Sequence, residues 1–470
     1  MSVAGGYTAG QEWRVRCALG ELMPLVAILL QWPLPCHGNF RDHSGMKSSW
    51  SVVVAVLPIM GVIACVGDRT TGPAGQEAFA RYVAVGTSLS MGVQSDGVVY
   101  FDQQHDWTKL LAHQAFASFS QPLVQAPGCF SPLIAPLQFN RRLSGVSASV
   151  SQTTSTPDTT CALFGTVVLP ANDVAIDGAS TYDALFVTPE TASVEGVKRR
   201  RQYRLVLPAK TTQVTAMLRQ SPSLVSVELG ANEALGAASG LIVPKSGYRG
   251  AAAQGTIVPN SLWQPVYDQL IDSVKKSGAK VLLAGVPSTS GFVSLRTGDE
   301  LYQDRAEFQQ LGVIVSSDCQ GNSNSIFVPI KVTAVVGAAQ ASGVAQTLSC
   351  ADAPGVQDNI LTPTDVQTLD ALIAGMNAHI KSVAQTNGWA YMDLAAVWAQ
   401  WVARRGPFSV ATMFACVLPY GQYVSLDGVH PNVQGYQEMA NAAADALNST
   451  YGFAIPQNAQ TVLAASQICQ

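Results

Sequence analysis

Five short apolar runs constrain the fold of this chain most strongly: YVAVG at 82–86, DVAIDG at 173–178, LVSVELG at 224–230, KVLLAGVP at 280–287 and WAYMDL at 389–394. Each ends near Gly, Asn or Asp, and none alternates between apolar and polar residues. A strand with one wet face alternates; a strand buried on both faces does not. The runs therefore predict a parallel sheet covered on both sides. Helical spacing supplies the cover. Residues 262–278, 362–388 and 432–452 carry apolar residues at helical intervals, and Gly278 and Asn387-Gly388 are helix-stop signals. Strands alternating with helices predict a three-layer α/β/α sandwich, doubly wound around a mostly parallel sheet.

The chain has 470 residues, 48% hydrophobic and 12% charged, which suits a large core and excludes global disorder. A net charge of −4 gives no reason to expect a nucleic-acid partner. The one basic run, Lys198-Arg199-Arg200-Arg201 with Arg204 behind it, reads as a solvated loop; contact with an anionic polymer or lipid is the alternative. Two segments break the strand–helix rhythm. Residues at about 120–170 and 288–361 are rich in Pro, Ser, Thr, Gln or Gly and are expected to be long loop insertions, forming walls or a lid over the site.

Residues 46–65, MKSSWSVVVAVLPIMGVIAC, read as an export signal. The apolar stretch from Val52 to Val62 is shorter than the roughly 20 residues a membrane span needs. Val62-Ile63-Ala64-Cys65 resembles a bacterial lipobox, so Cys65 is expected to carry lipid and to anchor an exported protein at the periplasm or cell surface. Residues 1–45 then form an over-extended start or disordered leader, 66–79 a tether, 80–455 the folded domain and 456–470 a tail. An uncleaved N-terminal anchor is the rival. Of nine cysteines, six lie beyond this region: Cys129, Cys161, Cys319, Cys350, Cys416 and Cys469. An even number after an export signal predicts three disulfides. Proximity pairs Cys129 with Cys161 and Cys319 with Cys350, leaving Cys416 for Cys469. No Cys/His cluster has metal-ligand spacing, so no metal or other cofactor is expected.

Ligands of open α/β sheets bind beyond the carboxyl ends of the strands. Ser88 follows the first run, Gly178 the second and Asn232 the third. Asp427 and His430 precede the last helix, three residues apart. Asp427 could orient His430, which could then take a proton from Ser88. The amide of Asn232 and the backbone N–H groups of Ser88 and Gly178 could hold an oxyanion. Each piece alone has an ordinary explanation. Gly-Thr-Ser after a strand is commonly a capped turn, and Asp-Gly-Val-His-Pro a turn entering a helix. Ser90 is a rival nucleophile. His105, His113 and His379 read as surface or packing residues.

At AVGTSLSMG, DVAIDGAST, VELGANEAL and LDGVHPNVQGYQEMA the chain resembles the SGNH (GDSL-type) hydrolases, with the four blocks in that family's order. The resemblance implies a flavodoxin-like fold and hydrolysis of an ester of a lipid, small molecule or acylated glycan. It assigns Ser88 as nucleophile, His430 as base, Asp427 as its orienter, and Ser88, Gly178 and Asn232 as oxyanion donors. Two departures stand out. Thr87 replaces the usual aspartate before the serine, and the acidic residue after the asparagine is Glu233 rather than aspartate, a milder change. The alternative is a non-catalytic surface lipoprotein that binds glycan or lipid with the same fold, and Thr87 is the feature that favours it.

Overall fold

The computed structural model describes residues 72–458, apart from 140, 146–160, 193–199 and 249–255. All of these belong to the second of two units, Asp68–Gln470. Cys65, the export signal, Lys198, Arg199 and Cys469 lie outside the described residues.

Four parallel strands form the central sheet: β1 (Tyr82–Gly86), β2 (Leu224–Glu228), β3 (Lys280–Ala284) and β4 (Ala390–Met392), side by side in that order. The absence of alternation in these runs follows from two-sided burial. Tyr82, Ala84, Leu224, Leu282 and Met392 join one apolar cluster, while Val83, Val85, Val225, Val227 and Leu283 join another. Successive strand residues point to opposite faces, so each strand feeds both cores. The first core packs against α2 (Trp107–Gln114), α7 (Leu394–Ala403) and α8 (Val433–Tyr451) through Trp107, Leu111, Trp401, Tyr436 and Met439. The second packs against α4 (Gln213–Arg219), α5 (Asn260–Lys275) and α6 (Pro363–Asn387) through Val214, Met217, Trp263, Leu270, Ile373 and Met376. The three predicted helices are thus present, within two or three residues of their expected bounds. Thr362 caps α6 reciprocally with Asp365, and Pro363 occupies its first turn.

The run 173–178 is not a regular strand, contrary to expectation. It lies along the free edge of β1, parallel to it, through Ala84 N–H to Asn172 O, Val174 N–H to Ala84 O and Ile176 N–H to Gly86 O. Side chains compete with the ladder here. Asp173 Oδ1 accepts from Ala175 N–H at 2.9 Å, and the Asn172 amide donates to Tyr82 O at 2.7 Å.

Residues 288–361 also differ from the expected loop. They contain an antiparallel sheet of Leu295–Thr297, Ser325–Phe327 and Ile360–Leu361, a parallel pair Val313–Val315 and Gln346–Leu348, and the helix Val328–Ser342. Phe308, Ile326 and Val332 are buried in the first core. The Gly/Ser/Gln-rich composition hides this order because the strands are only three residues or fewer. The expected tether also ends early. A 3-10 turn, Gln76–Arg81, buries Phe79, whose ring meets Tyr82 edge-on at 5.4 Å.

Two predicted disulfides are present, Cys129–Cys161 and Cys319–Cys350, one in each insertion. Cys416 is also disulfide-bonded. Cys319 and Cys350 are 31 residues apart, so the bond removes loop-closure entropy from the unfolded chain. Replacing both by alanine is expected to cost about 3–4 kcal/mol, read as a lower midpoint in urea unfolding; an unchanged midpoint would mean the insertion is held by its core alone.

Candidate active site

The register of the sheet creates the site. Gly86 pairs with Glu228, and Glu228 with Ala284, so these three end the strands at one level. After Gly86 the chain turns directly into α1 (Ser88–Met91), a single helical turn closed by Gly92. Thr87 is its N-cap residue, yet its side chain makes no cap. Its hydroxyl instead donates to Glu228, at 2.9 and 3.0 Å from the two carboxylate oxygens, and its N–H donates to Oε2 at 2.9 Å. Ser90 adds its N–H at 3.3 Å and its hydroxyl at 3.1 Å. Glu228 thereby ties the turn from beneath. Burial pushes its pKa up to about 7, against the lowering effect of the bonds from Thr87 and Ser90. Gly86 leaves the room for this arrangement: a Cβ there would run into Ser90 Oγ and lie 3.1 Å from Glu228 Oε2.

The carboxylate that braces the turn comes from the neighbouring strand, and Thr87 supplies donors to it. It also separates the two serines. Ser90 is fully buried and committed to Glu228, whereas Ser88 lines a cavity.

Asp427 and His430 sit in a hairpin closed by Ser425 N–H to His430 O and Asn432 N–H to Tyr423 O. Asn432 then caps α8 by accepting from Gln434 and Gly435 N–H. Inside the hairpin, Asp427 Oδ1 accepts from Val429 N–H at 2.8 Å, His430 N–H at 2.9 Å and Ser425 Oγ at 3.2 Å. Its Oδ2 accepts from His430 Nδ1 at 2.7 Å and from Asp96 N–H. Burial alone would raise the Asp427 pKa, but the His430 charge and these donors outweigh it and bring it down to about 2. Burial likewise works to lower the His430 pKa, and the Asp427 carboxylate overrides it, so His430 titrates above its ordinary value. With Nδ1 given to Asp427, Nε2 is the basic nitrogen of the ring. Gly428 is required here: its φ is +73°, and a Cβ would lie 2.7 Å from Ser294 Cβ and collide with Pro329. Ser294 donates to Gly428 O at 2.6 Å, so the insertion braces the hairpin.

A further brace comes from a tight turn at Gln94–Gly97. Ser95 and Asp96 both have left-handed backbone, with φ of +53° and +57°. Ser95 N–H donates to Ser425 Oγ at 2.8 Å, and Asp96 donates to Asp427 as above. The Asp96 carboxylate is itself paired with buried Arg142 at 2.7 Å. Glu228, Ser95, Asp96 and Arg142 were not among the residues expected from sequence. Only Glu228 carried a signal, as an acid at the end of an otherwise apolar strand.

Ser88, Asn232 and His430 line one cavity of about 530 Å³ of empty space, partly open to solvent. One N–H of the Asn232 amide donates to Ala179 O at 2.8 Å, which leaves its second hydrogen for a ligand. The Ser88 N–H is in the first helical turn and has no partner within the helix. Gly178 is not among the lining residues. It occupies a turn closed by Ala179 N–H to Ile176 O, with φ of +75°, just before Ser180 caps α3 (Thr181–Phe186). Glu233 links this block to the asparagine block: its Oε1 accepts from Thr181 N–H at 2.8 Å and Tyr248 OH at 2.6 Å. The other histidines among the described residues lie elsewhere. His379 pairs with Asp268 at 2.7 Å, His105 Nδ1 meets Phe101 O, and His113 is exposed. Among the described residues, Asp318, Cys319 and Cys350 cluster as metal ligands might, but the two sulfurs form a disulfide.

No protein-family model matches this chain, and no curated protein matches it in sequence.

Glutamine at 228 would remove the charge from the bonds donated by the Thr87 and Ser90 N–H groups, which cannot turn to accept from an amide. Glu228→Gln is expected to cost about 1–3 kcal/mol of stability, measured by urea unfolding at pH 8. Wild-type stability in this variant would show that the carboxylate does not hold the turn.

Proposed function

We propose that this chain is a serine ester hydrolase of the SGNH (GDSL-type) family. The observation that carries the reading is the convergence of Ser88, Asn232 and His430 on one cavity, with His430 Nδ1 held 2.7 Å from a buried Asp427 carboxylate. The sheet order supports the flavodoxin-like fold of that family: the segment at 172–176 runs outside β1, followed by β2, β3 and β4. The rival reading, a non-catalytic binder, drew on Thr87, and the bonds from Thr87 to Glu228 remove that ground.

In the proposed reaction, Ser88 Oγ attacks the ester carbonyl and passes its proton to His430 Nε2. The carbonyl oxygen becomes an oxyanion, held by the Ser88 N–H and the free hydrogen of the Asn232 amide. Collapse of the tetrahedral species breaks the C–O bond to the alcohol, which leaves with the proton from His430. Water, deprotonated by His430, then attacks the acyl-enzyme and releases the acid and Ser88. Asp427 stays ionised throughout, as its low pKa requires, and stabilises the imidazolium. The proposal extends to an exported protein anchored through Cys65. The disulfides support an oxidising compartment, and no described helix is long and apolar enough to cross a membrane.

A fluorophosphonate probe tests the nucleophile. Labelling is expected in wild type and in Ser90→Ala and lost in Ser88→Ala; a folded wild type that takes no label sinks the reading. The pH profile tests the base. His430 must be neutral to act, and its pKa is raised, so kcat/KM is expected to climb with pH through a midpoint above 6.5. Asp427→Asn removes the charge that raises it. The midpoint should fall and kcat drop by about three to four orders of magnitude; an unmoved midpoint would take Asp427 out of the mechanism.

A further inference from the structure

The site cavity lies where the two cores of the fold meet. Leu89, Ala238, Phe292 and Trp398 on its wall belong to one apolar cluster, and Ala234, Val286 and Ile373 to the other. Beyond the strand ends no sheet separates the two clusters. Their side chains therefore face each other across empty space rather than across a strand. The polar groups on the wall are few. Thr87, Ser88, Asn232 and His430 gather at the catalytic end, and Thr289 is the one other side chain with a hydroxyl. Among the lining residues His430 alone titrates. Among the described residues, no carboxylate, lysine or arginine lines the wall.

We infer that this cavity holds the acyl part of the substrate, and that the part is an uncharged alkyl chain longer than acetyl. The inference rests on the ester-hydrolase reading above. A charged or hydroxylated acyl group would give up its water for a wall with almost no partners, which costs more than the enclosure returns. An alkyl chain gains from the same wall, by about fourfold in binding for each methylene removed from water. An acetyl group would reach only the catalytic end and leave the apolar wall unused. Leu235 is the last residue of the asparagine block and is only half-buried, and its side chain borders the space the chain would fill. Phe292 comes from the 288–361 insertion, which thus builds part of the wall.

The test measures kcat/KM for p-nitrophenyl acetate, butyrate, hexanoate and decanoate with wild type, Leu235→Trp and Leu235→Ala. A small fluorophosphonate titrates folded sites in each. In wild type, hexanoate is expected to exceed acetate by about tenfold or more. Leu235→Trp should shrink that ratio towards one, and Leu235→Ala should move the preference to a longer chain. Opposite shifts from two substitutions at one position are not what general loss of stability produces. Preference for acetate in wild type, or a ratio that neither variant moves while all three hydrolyse esters, overturns the acyl pocket and leaves the hydrolase standing. Absence of both labelling and hydrolysis in folded wild type overturns the two together.

Discussion

A carboxylate inside an apolar core is tolerated only with partners, and Glu228 has four donors from two residues of one turn. That requirement organises the carboxyl end of the sheet. The donors must come from Thr87 and Ser90, so α1 must start at the end of β1. The strand register must put Gly86 beside Glu228, and the residue at 86 must lack a side chain. Ser88, between the two donor residues, is then left to face the cavity. Ser88 is positioned by what its neighbours owe to a buried charge.

The second half of the proposed triad obeys the same rule on the other side of the cavity. Asp427 is buried and ionised, and it collects five donors from its own hairpin, from His430 and from Asp96. Two excursions from the sheet converge on that hairpin. The turn at Ser95-Asp96, held by Arg142, approaches from one, and Ser294 and Pro329 from the other. The insertions are therefore supports of the site as well as walls. Glu228 and Asp427 differ in their titration because Asp427 faces a cation and Glu228 faces only neutral donors.

Much of this was legible in the chain. The five apolar runs identified the four strands of the sheet, because two-sided burial erases alternation. The helix-stop glycine at 388 marked the end of α6 closely, because Gly388 adopts the left-handed backbone that such a stop needs. Asp427 and His430 were visible as a pair because both lie in one turn, where sequence distance and spatial distance agree. The run at 173–178 misled because its apolar residues suit a strand, while Asn172 and Asp173 divert its backbone bonds. The insertion at 288–361 misled because very short strands leave no periodicity to read.

Local sequence determined the four central strands and the three long helices, and that a serine, an asparagine and an Asp/His pair fall in the turns around them. These are properties of a few neighbouring residues: propensity, period and left-handed turns. Only the tertiary structure decided that Glu228 braces Thr87 and Ser90, 138 to 141 residues away, and that Asp96 donates to Asp427 across 331. It alone decided that two apolar clusters meet around Ser88. Such pairings are set by strand register and by packing, and each selects its partner by the cost of leaving a buried charge or an apolar surface without one.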